Sequence, residues 1–364
     1  MTPLRTISVA LALAAFSALS CGQSGATNTS ATDEAGADDG GTDTSDARSP
    51  DLSGIPLTND VQLIVEPNGQ AGAEIVAAIK AARTSVHLTM YLLSDTDVIN
   101  ALIERARARV DVKVVLNKTF PVNSIDQTSV FNTLQRGGVK IVWASSGFTY
   151  THEKCLIIDG AAAWIMTMNF ANSSPTFNRE YIVIDSDRED VAEAEAIFAA
   201  DYANQTIAPS GKLLVAPTNA QPLLIQMANT AQRSIDVQAE AYSDSYVTDA
   251  LLAAKARGII VRLVIGKDAT PSSAQTQSIA RLKAADIPVV AAGPEAGSSA
   301  SSANPKNHAK AMLVDGTRAY VGSANFTINS LRYNRELGVI LGEPAALQTL
   351  SDTFEADFRR GVAQ

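Results

Sequence analysis

The chain is poor in several residue types that usually signal particular kinds of site. Its 364 residues include only two cysteines, three histidines and two tryptophans, and aromatic residues make up 5%. Two cysteines leave no room for a disulfide framework, and Cys155 stands among apolar neighbours, which is typical of a buried small residue. We find no plausible cluster of metal ligands in the sequence. We therefore predict a protein that needs no metal ion or other cofactor.

The N-terminal apolar run is too short to span a bilayer. Arg5 is followed by the run Ile7–Ser20, and Cys21 comes directly after it. This length fits the hydrophobic part of a secretory signal, so we expect residues 1–20 to be a signal peptide. The segment ALSC resembles a bacterial lipobox, which implies cleavage before Cys21 and lipidation of its sulfur. The alternative is a plain secretory signal followed by a chance cysteine.

A polar segment separates this leader from the rest of the chain. Residues 21–59 consist mainly of Gly, Ser, Thr, Ala and Asp, and such a composition cannot bury enough surface to fold. We expect this segment to be a disordered acidic tether. It holds seven acidic residues and one arginine, out of a net charge of −9 for the whole chain. The body from residue 60 onward is therefore only mildly acidic, which disfavours a nucleic-acid partner weakly.

The body contains an internal repeat. The segment Ser85–Asn117 aligns with Ser234–Gly266, and each reads as an apolar strand, an amphipathic helix and a second apolar strand. Such a βαβ unit requires parallel strands in a sheet that helices cover. We therefore predict an α/β fold built from two halves, at residues 60–211 and 212–364.

Two of the three histidines carry the same polar residues at the same distances. Each is followed by Lys at +2, Asp at +7, Asn at +17 and Glu at +28. The first set is His152, Lys154, Asp159, Asn169 and Glu180. The second set is His308, Lys310, Asp315, Asn325 and Glu336. The remaining histidine, His87, has none of these partners, and we expect it to be a packed or hydrogen-bonded core residue.

The local pattern around each pair is a hairpin with a turn at Asp-Gly. Side chains alternate along a strand, so His152 and Lys154 share one face. The aspartate of each motif lies about 13 Å further along the strand, so Asp159 and Asp315 are expected to be turn or packing residues. The return strand brings an asparagine back beside each His–Lys pair. A nearby carboxylate can fix the tautomer of an imidazole, which is the role expected for the two glutamates.

The motifs resemble those of the phospholipase D superfamily, H-x-K-x(4)-D followed by G-S-x-N. The resemblance covers nearly the whole body in two copies. The second copy has GSAN at Gly322–Asn325, whereas the first has MTMN at Met166–Asn169. It implies a pseudo-dimer of two α/β halves, each a mixed sheet covered by helices, with one shared active site at their interface.

The resemblance also implies roles for the repeated residues. His152 would be the nucleophile that forms a phosphohistidine, and His308 would protonate the leaving alcohol and then activate water or another alcohol. Both lysines and both asparagines would bind the nonbridging phosphate oxygens, and the glutamates would orient the imidazoles. Thr167 and Ser323, the hydroxyl residues of the second motif, are assigned to the phosphate pocket.

The motif defines a reaction class without naming the substrate. We favour metal-independent cleavage or transfer of the phosphatidyl group of phospholipids, because a lipid anchor would hold the enzyme at a membrane. An exported endonuclease is the alternative, and a cardiolipin synthase-like transferase or an inactive phosphate-binding scaffold is less favoured. We expect a monomer that is exported as a membrane-anchored lipoprotein of the bacterial envelope, in the periplasm or at the outer membrane, or else a secreted protein.

Overall fold

The computed structural model describes residues 55, 57–70, 72–118, 126–209, 211–267, 271–295 and 298–364. The predicted signal peptide, Cys21 and most of the predicted tether lie outside these residues. Within them the chain forms two mixed sheets, each accompanied by helices, so the predicted α/β class and two-halved architecture are confirmed.

The first sheet contains three parallel strands and an antiparallel extension. Its strands are β1 Val61–Glu66, β2 Ser85–Met90, β3 Asp111–Leu116, β4 Lys140–Trp143, β5 Lys154–Ile158, β6 Ala162–Met166 and β7 Asn178–Asp185. The order is β1-β7-β6-β5-β2-β3-β4, with β2, β3 and β4 parallel. The helices are α1 Ala73–Ala81, α2 Thr96–Arg107, α3 Thr128–Arg136, α4 Ser174–Phe177 and α5 Arg188–Tyr202.

The second sheet repeats this plan. Its strands are β8 Leu214–Ala216, β9 Ser234–Ala239, β10 Ile260–Gly266, β11 Val289–Ala292, β13 Lys310–Val314, β14 Arg318–Gly322, β15 Glu336–Leu341 and β16 Val362–Ala363. The order is β16-β11-β10-β9-β13-β14-β15-β8, and the short strand β12 Lys306–Asn307 pairs with β7 of the first sheet. The helices are α6 Ala220–Asn229, α7 Ser245–Ala256, α8 Ser273–Ala284, α9 Ile328–Arg332 and α10 Pro344–Arg360.

The repeated βαβ units begin their helices in the same way. The Asp95 carboxylate accepts hydrogen bonds from the N–H groups of Asp97 and Val98 at the start of α2. Asp244 accepts one from the N–H of Val247 at the start of α7. Because these N–H groups have no partner within the helix, each aspartate stabilises the strand-to-helix turn that the repeat predicts.

The motif aspartates lie in the hairpin turns. Asp159 and Asp315 have φ angles of 54° and 57°, in the left-handed region that the turn requires. The Asp159 carboxylate accepts hydrogen bonds from the N–H groups of residues 83–85, where β2 begins. Asp315 does the same for residues 232–234 before β9. Each aspartate therefore ties a hairpin to the start of the strand beside it, β2 or β9, which runs antiparallel to the first strand of the hairpin.

The two sheets share a hydrophobic core. The cluster includes Ile157, Ile165 and Val183 from the first sheet and Leu313 and Val321 from the second. Helices α5 and α10 add apolar residues to the same cluster. Burial of this surface from both halves holds the sheets in a fixed relation, so residues at the common edge can meet across the interface.

Two residues before the predicted boundary at residue 60 contact the second half. Ile55 is buried in the core of the second half, and Thr58 pairs with Leu341 at the end of β15. Burial of the apolar side chain of Ile55 contributes to this contact. The predicted tether, residues 21–59, thus overlaps the described part of the chain at residues 55 and 57–59.

Candidate active site

The repeated polar residues meet because the relevant strand ends lie at one edge of each sheet. Met90 at the end of β2 pairs with Lys154 at the start of β5, and Ala239 at the end of β9 pairs with Lys310 at the start of β13. The asparagines Asn169 and Asn325 follow the ends of β6 and β14. Both His–Lys pairs and both asparagines therefore stand at the edges where the two halves meet.

Each histidine is held by the main chain of the other half. The N–H of His152 donates to the carbonyl of Arg335 at 2.9 Å, and the N–H of His308 donates to the carbonyl of Arg179 at 3.2 Å. Arg179 and Arg335 immediately precede the two motif glutamates. These two backbone hydrogen bonds therefore bring each histidine next to the glutamate of the opposite half.

The side chains complete this crossed arrangement. The Nδ1 atom of His152 lies 2.9 and 3.0 Å from the two carboxylate oxygens of Glu336. The Nδ1 atom of His308 lies 2.8 and 2.9 Å from those of Glu180. Glu180 and Glu336 are fully buried. A carboxylate at Nδ1 fixes the imidazole orientation and leaves Nε2 as the nitrogen available for chemistry.

The glutamates are held in turn by neighbouring polar groups. The hydroxyl of Thr167 donates to Glu180 at 2.6 Å, and the hydroxyl of Ser323 donates to Glu336 at 2.7 Å. Thr167 thus makes the same contact as the serine of the second copy. Both hydroxyl residues are fully buried behind these carboxylates. We therefore assign them to support of the glutamates instead of the phosphate pocket.

Burial and the charge of the partner shift the pKa values of His152 and Glu336 in opposite directions. Burial lowers the pKa of His152, and the adjacent Glu336 opposes this effect only in part. Burial raises the pKa of Glu336, but the charges of His152 and Lys154 outweigh it, so this pKa stays below its ordinary value. The pair therefore favours a neutral imidazole beside an ionised carboxylate, which is the state that a nucleophilic imidazole requires.

The two lysines have different surroundings. Lys154 donates to the carbonyl of His152 and lies over the ring of Tyr91, with its Nζ atom 5.0 Å from the ring centroid. Burial lowers the pKa of Lys154 to about 7. Lys310 donates to the carboxylate of Glu240 at 2.8 Å. The lysine of the first half thus faces an aromatic ring, whereas the lysine of the second half has a counterion.

The asparagines also differ. The Oδ1 atom of Asn169 is buried without a hydrogen-bond partner among the described residues. Asn325 accepts a hydrogen bond from the N–H of Ala241 at 3.2 Å, and its amide donates to Glu240 at 3.3 Å. A buried amide oxygen without a hydrogen-bond partner carries a desolvation cost that a bound ligand with a donor group would relieve.

Two buried ion pairs fasten the halves to each other. Arg179 contacts Asp357 of α10 at 2.8 Å, and Arg335 contacts Asp201 of α5 at 2.9 Å. Each pair joins the arginine beside a motif glutamate to the last helix of the opposite half. Because loss of one partner leaves a buried charge unpaired, removal typically costs about 3–5 kcal/mol.

Sequence reasoning missed Tyr91 and Glu240 as site residues. They occupy the same position of the repeat, directly after β2 and β9. Their place at the ends of parallel strands, where α/β proteins often position ligands, could have identified them. The structure agrees with what the sequence predicts for His87 and Cys155. The Nδ1 atom of His87 lies 2.7 Å from Glu195 and its ring stacks on Phe198, and Cys155 is buried and forms no disulfide.

Among the described residues, no group of three or more His, Cys, Asp or Glu side chains is arranged to hold a metal ion. None of the helices in this part of the chain has the length and apolar character needed to cross a bilayer.

Comparison with known families agrees with this geometry. A family model described as "Cardiolipin synthase, PLD-like domain" matches residues 75–202 and 224–358, one stretch in each half. The chain therefore belongs to the phospholipase D superfamily, as its two motifs indicate.

Individual relatives are distant. Cardiolipin synthase 1 of Bacillus cereus is 24% identical over 345 residues, a match that covers 80% of this chain and 65% of that protein. Phospholipase D of Rickettsia prowazekii is 29% identical over 131 residues, which is 36% of this chain and 58% of that protein. The chain thus spans less than two thirds of each relative's length.

A solved structure supports the fold. The phosphatidylserine synthase of Haemophilus influenzae superposes with a TM-score of 0.65 at 11% identity, over 86% of this chain and 90% of that one. This likeness establishes the two-halved architecture and nothing more about the reaction.

Proposed function

We propose that this protein is a phosphodiesterase of phospholipase D type that acts on phospholipids through a phosphohistidine intermediate on His152. The observation that carries the proposal is the crossed pairing, in which each histidine is held at Nδ1 by the glutamate of the other half. This arrangement leaves two Nε2 atoms for one phosphorus, one as nucleophile and one as proton donor.

In the first step, the lone pair of His152 Nε2 attacks phosphorus. The bond from phosphorus to the head-group oxygen breaks, and the proton on His308 Nε2 moves to that oxygen. The products are a phosphatidyl group bound to His152 and the free alcohol. Glu336 stabilises the positive charge that develops on the attacked imidazole.

In the second step, His308 removes a proton from water or from an acceptor alcohol. The resulting oxygen attacks phosphorus and the bond to His152 breaks. Water gives phosphatidic acid and an alcohol gives a new phospholipid. The pair of lysines and the pair of asparagines stabilise the negative charge on the nonbridging oxygens in both steps.

A phospholipid substrate is supported by the surface next to the site. Phe177 and Tyr333 occupy equivalent positions of the repeat, each just before the Asn-Arg-Glu segment, and their side chains are 42% and 56% exposed. Exposed aromatic rings beside a site favour contact with an apolar ligand or a membrane interface. The names of the relatives, a cardiolipin synthase and a phospholipase D, point in the same direction.

The choice between water and an alcohol as acceptor remains part of the proposal. We propose hydrolysis together with transfer, since the same deprotonated oxygen completes either reaction. An endonuclease is the alternative because the same two-histidine chemistry can cleave a nucleic-acid phosphodiester. The mild acidity of the body disfavours it.

A substrate panel tests the proposal. The purified protein is incubated with phosphatidylcholine, phosphatidylethanolamine, phosphatidylglycerol or plasmid DNA, with EDTA present and with or without added glycerol. We expect release of head-group alcohol that survives chelation, and a new glycerol-containing lipid when glycerol is added. Nicking of DNA without lipid turnover would replace the proposal by the endonuclease, and an absolute need for a divalent cation would contradict the mechanism.

The charge of Lys154 predicts the pH dependence. The free enzyme binds a phosphodiester anion best while Lys154 is protonated, and the pKa of this lysine is about 7. We expect kcat/KM to fall as pH rises through about 7, because the charge is lost above the pKa. The corresponding fall in kcat should occur at higher pH, because bound phosphate stabilises the protonated form of Lys154.

The Lys154→Arg variant provides the control. Arginine keeps its charge throughout this range, so the alkaline limb in kcat/KM should move upward even if the rate is lower. A wild-type profile that stays flat between pH 6 and 9 would contradict the assignment.

A further inference from the structure

The two halves of the site differ most at one repeat-equivalent position. In the first half, Tyr91 places its ring 4.5 Å from the ring of His152, centroid to centroid. In the second half, the same position holds Glu240. One oxygen of Glu240 lies 3.3 Å from His308 Nε2, 2.8 Å from Lys310 Nζ and 3.3 Å from the amide nitrogen of Asn325. A carboxylate thus stands among the groups assigned to phosphate binding and proton transfer.

The contact with Nε2 places Glu240 on the head-group side of the pocket. Glu180 occupies Nδ1 of His308, so Nε2 is the atom that gives its proton to the leaving oxygen. The carboxylate lies at this same atom, and the Glu240 side chain is 24% exposed, whereas Lys310 is fully buried. The partly exposed carboxylate therefore adjoins the space that the head group must enter.

The backbone around Glu240 is closely packed. Its N–H donates to the carbonyl of Ala309 at 2.9 Å. A side chain at Gly266, at the end of β10, would collide with the Glu240 carbonyl. Glycine at position 266 therefore permits the close approach of these two stretches of backbone.

The carboxylate is negatively charged at neutral pH. Burial raises the pKa of Glu240, but His308, Lys310 and Lys306 outweigh this effect and hold the pKa well below its ordinary value. A phosphodiester that enters the site adds a second anion beside the same Lys310 and Asn325. A positive charge on the substrate, close to the ester oxygen, would offset this repulsion.

We propose that Glu240 is a specificity-determining residue that selects phosphodiesters whose alcohol carries an ammonium group, as in ethanolamine or choline head groups. The inference rests on the proposed function, because it concerns the head group of that same reaction. An ammonium two carbons from the ester oxygen lies about 3–4 Å from it, which is within reach of a carboxylate at His308 Nε2. With an uncharged polyol such as glycerol, the diester stays anionic and nothing offsets its repulsion by the Glu240 carboxylate.

Binding and turnover are measured separately. The affinity for glycerophosphoethanolamine and for glycerophosphoglycerol is measured by calorimetry. These measurements use the full chain with His152→Ala, because this variant cannot cleave the ligand. Turnover uses short-chain phosphatidylethanolamine and phosphatidylglycerol with the protein that retains His152. Each measurement is repeated with Glu240→Gln, and with Glu189→Gln as the matched control. Glu189 is a carboxylate on α5 whose side chain is 83% exposed.

We expect the protein with Glu240 to prefer the ethanolamine diester over the glycerol diester by about tenfold or more in affinity and in kcat/KM. Glu240→Gln should reduce this preference to within about threefold, mainly by improving the glycerol compound. Glu189→Gln should keep the full preference.

The outcomes separate the two proposals. A preference that survives Glu240→Gln, or an equal loss for both compounds, would overturn the inference, since the second result is what a purely structural partner of Lys310 would give. Glu240-dependent binding without cleavage of any lipid would support the inference and contradict the lipid reaction. Lipid turnover without a Glu240-dependent preference would support the lipid reaction and contradict the inference about Glu240.

Discussion

The His308→Ala variant is expected to recover much of its lost activity when the leaving group needs no proton. With a lipid head group, loss of the general acid should slow the first step by about 10²–10⁴-fold. A p-nitrophenyl phosphodiester has a stable leaving anion, so His152 can displace it unaided. We therefore expect a burst of about one nitrophenolate per enzyme, followed by slow turnover, because the second step still requires His308 as base.

The His152→Ala variant is the matched comparison. It removes the nucleophile, so a better leaving group cannot restore the reaction and no burst should appear. Rapid-mixing absorbance measurements on both variants distinguish these cases. A burst from His152→Ala, or equal recovery by both variants, would show that the roles of the histidines are reversed or shared.

The second large effect is expected from the crossed glutamates. Glu336→Gln should slow formation of the covalent intermediate by about 10²–10⁴-fold for every leaving group, because the amide cannot stabilise the imidazolium of His152. Glu180→Gln should act through His308. Its defect should therefore be large with a lipid head group and small with the p-nitrophenyl ester.

The dependence of each variant's rate on the leaving group tests which histidine each glutamate supports. If Glu180 served His152 and Glu336 served His308, the dependence on the leaving group would be exchanged between the two variants. Thermal melts provide the control for folding, since Thr167 and Ser323 donate hydrogen bonds to these carboxylates and an amide oxygen can still accept them. A variant with an unchanged melting temperature and a lost reaction isolates the chemical role.

Much of the fold follows from local sequence pattern. The apolar runs, the helical spacing and the Asp-Gly turns predict the βαβ units and hairpins, and the repeat predicts two halves. The alternation of side chains along a strand also predicts that His152 and Lys154 share a face. These features depend on residues that are close together in sequence, which is why they can be predicted from one chain.

The pairing between halves could not be predicted in the same way. Glu180 and Glu336 both lie 28 residues after a histidine, and this spacing is the same whether each serves its own half or the other. The exchange depends on how the hydrophobic faces of the two sheets pack, which is a tertiary property. The contacts of Arg179 with Asp357 and of Arg335 with Asp201 arise from the same packing.

Glu240 was missed for a different reason. The site residues stand out in the sequence because they recur in both halves, whereas this position holds tyrosine in one half and glutamate in the other. A residue that differs between the two copies carries no such signal. Its significance is visible only from its contacts with His308 and Lys310.

Mapping the covalent intermediate tests the central claim most directly. The wild-type protein is mixed with a short-chain phospholipid and quenched in base within milliseconds, which also removes the acyl chains; the protein is then digested and analysed by mass spectrometry for the remaining glycerophosphoryl group. The account predicts an acid-labile, base-stable adduct on the peptide that contains His152, and none on that peptide in the His152→Ala variant. An adduct on His308, or turnover of the lipid with no histidine adduct at any time, would contradict it.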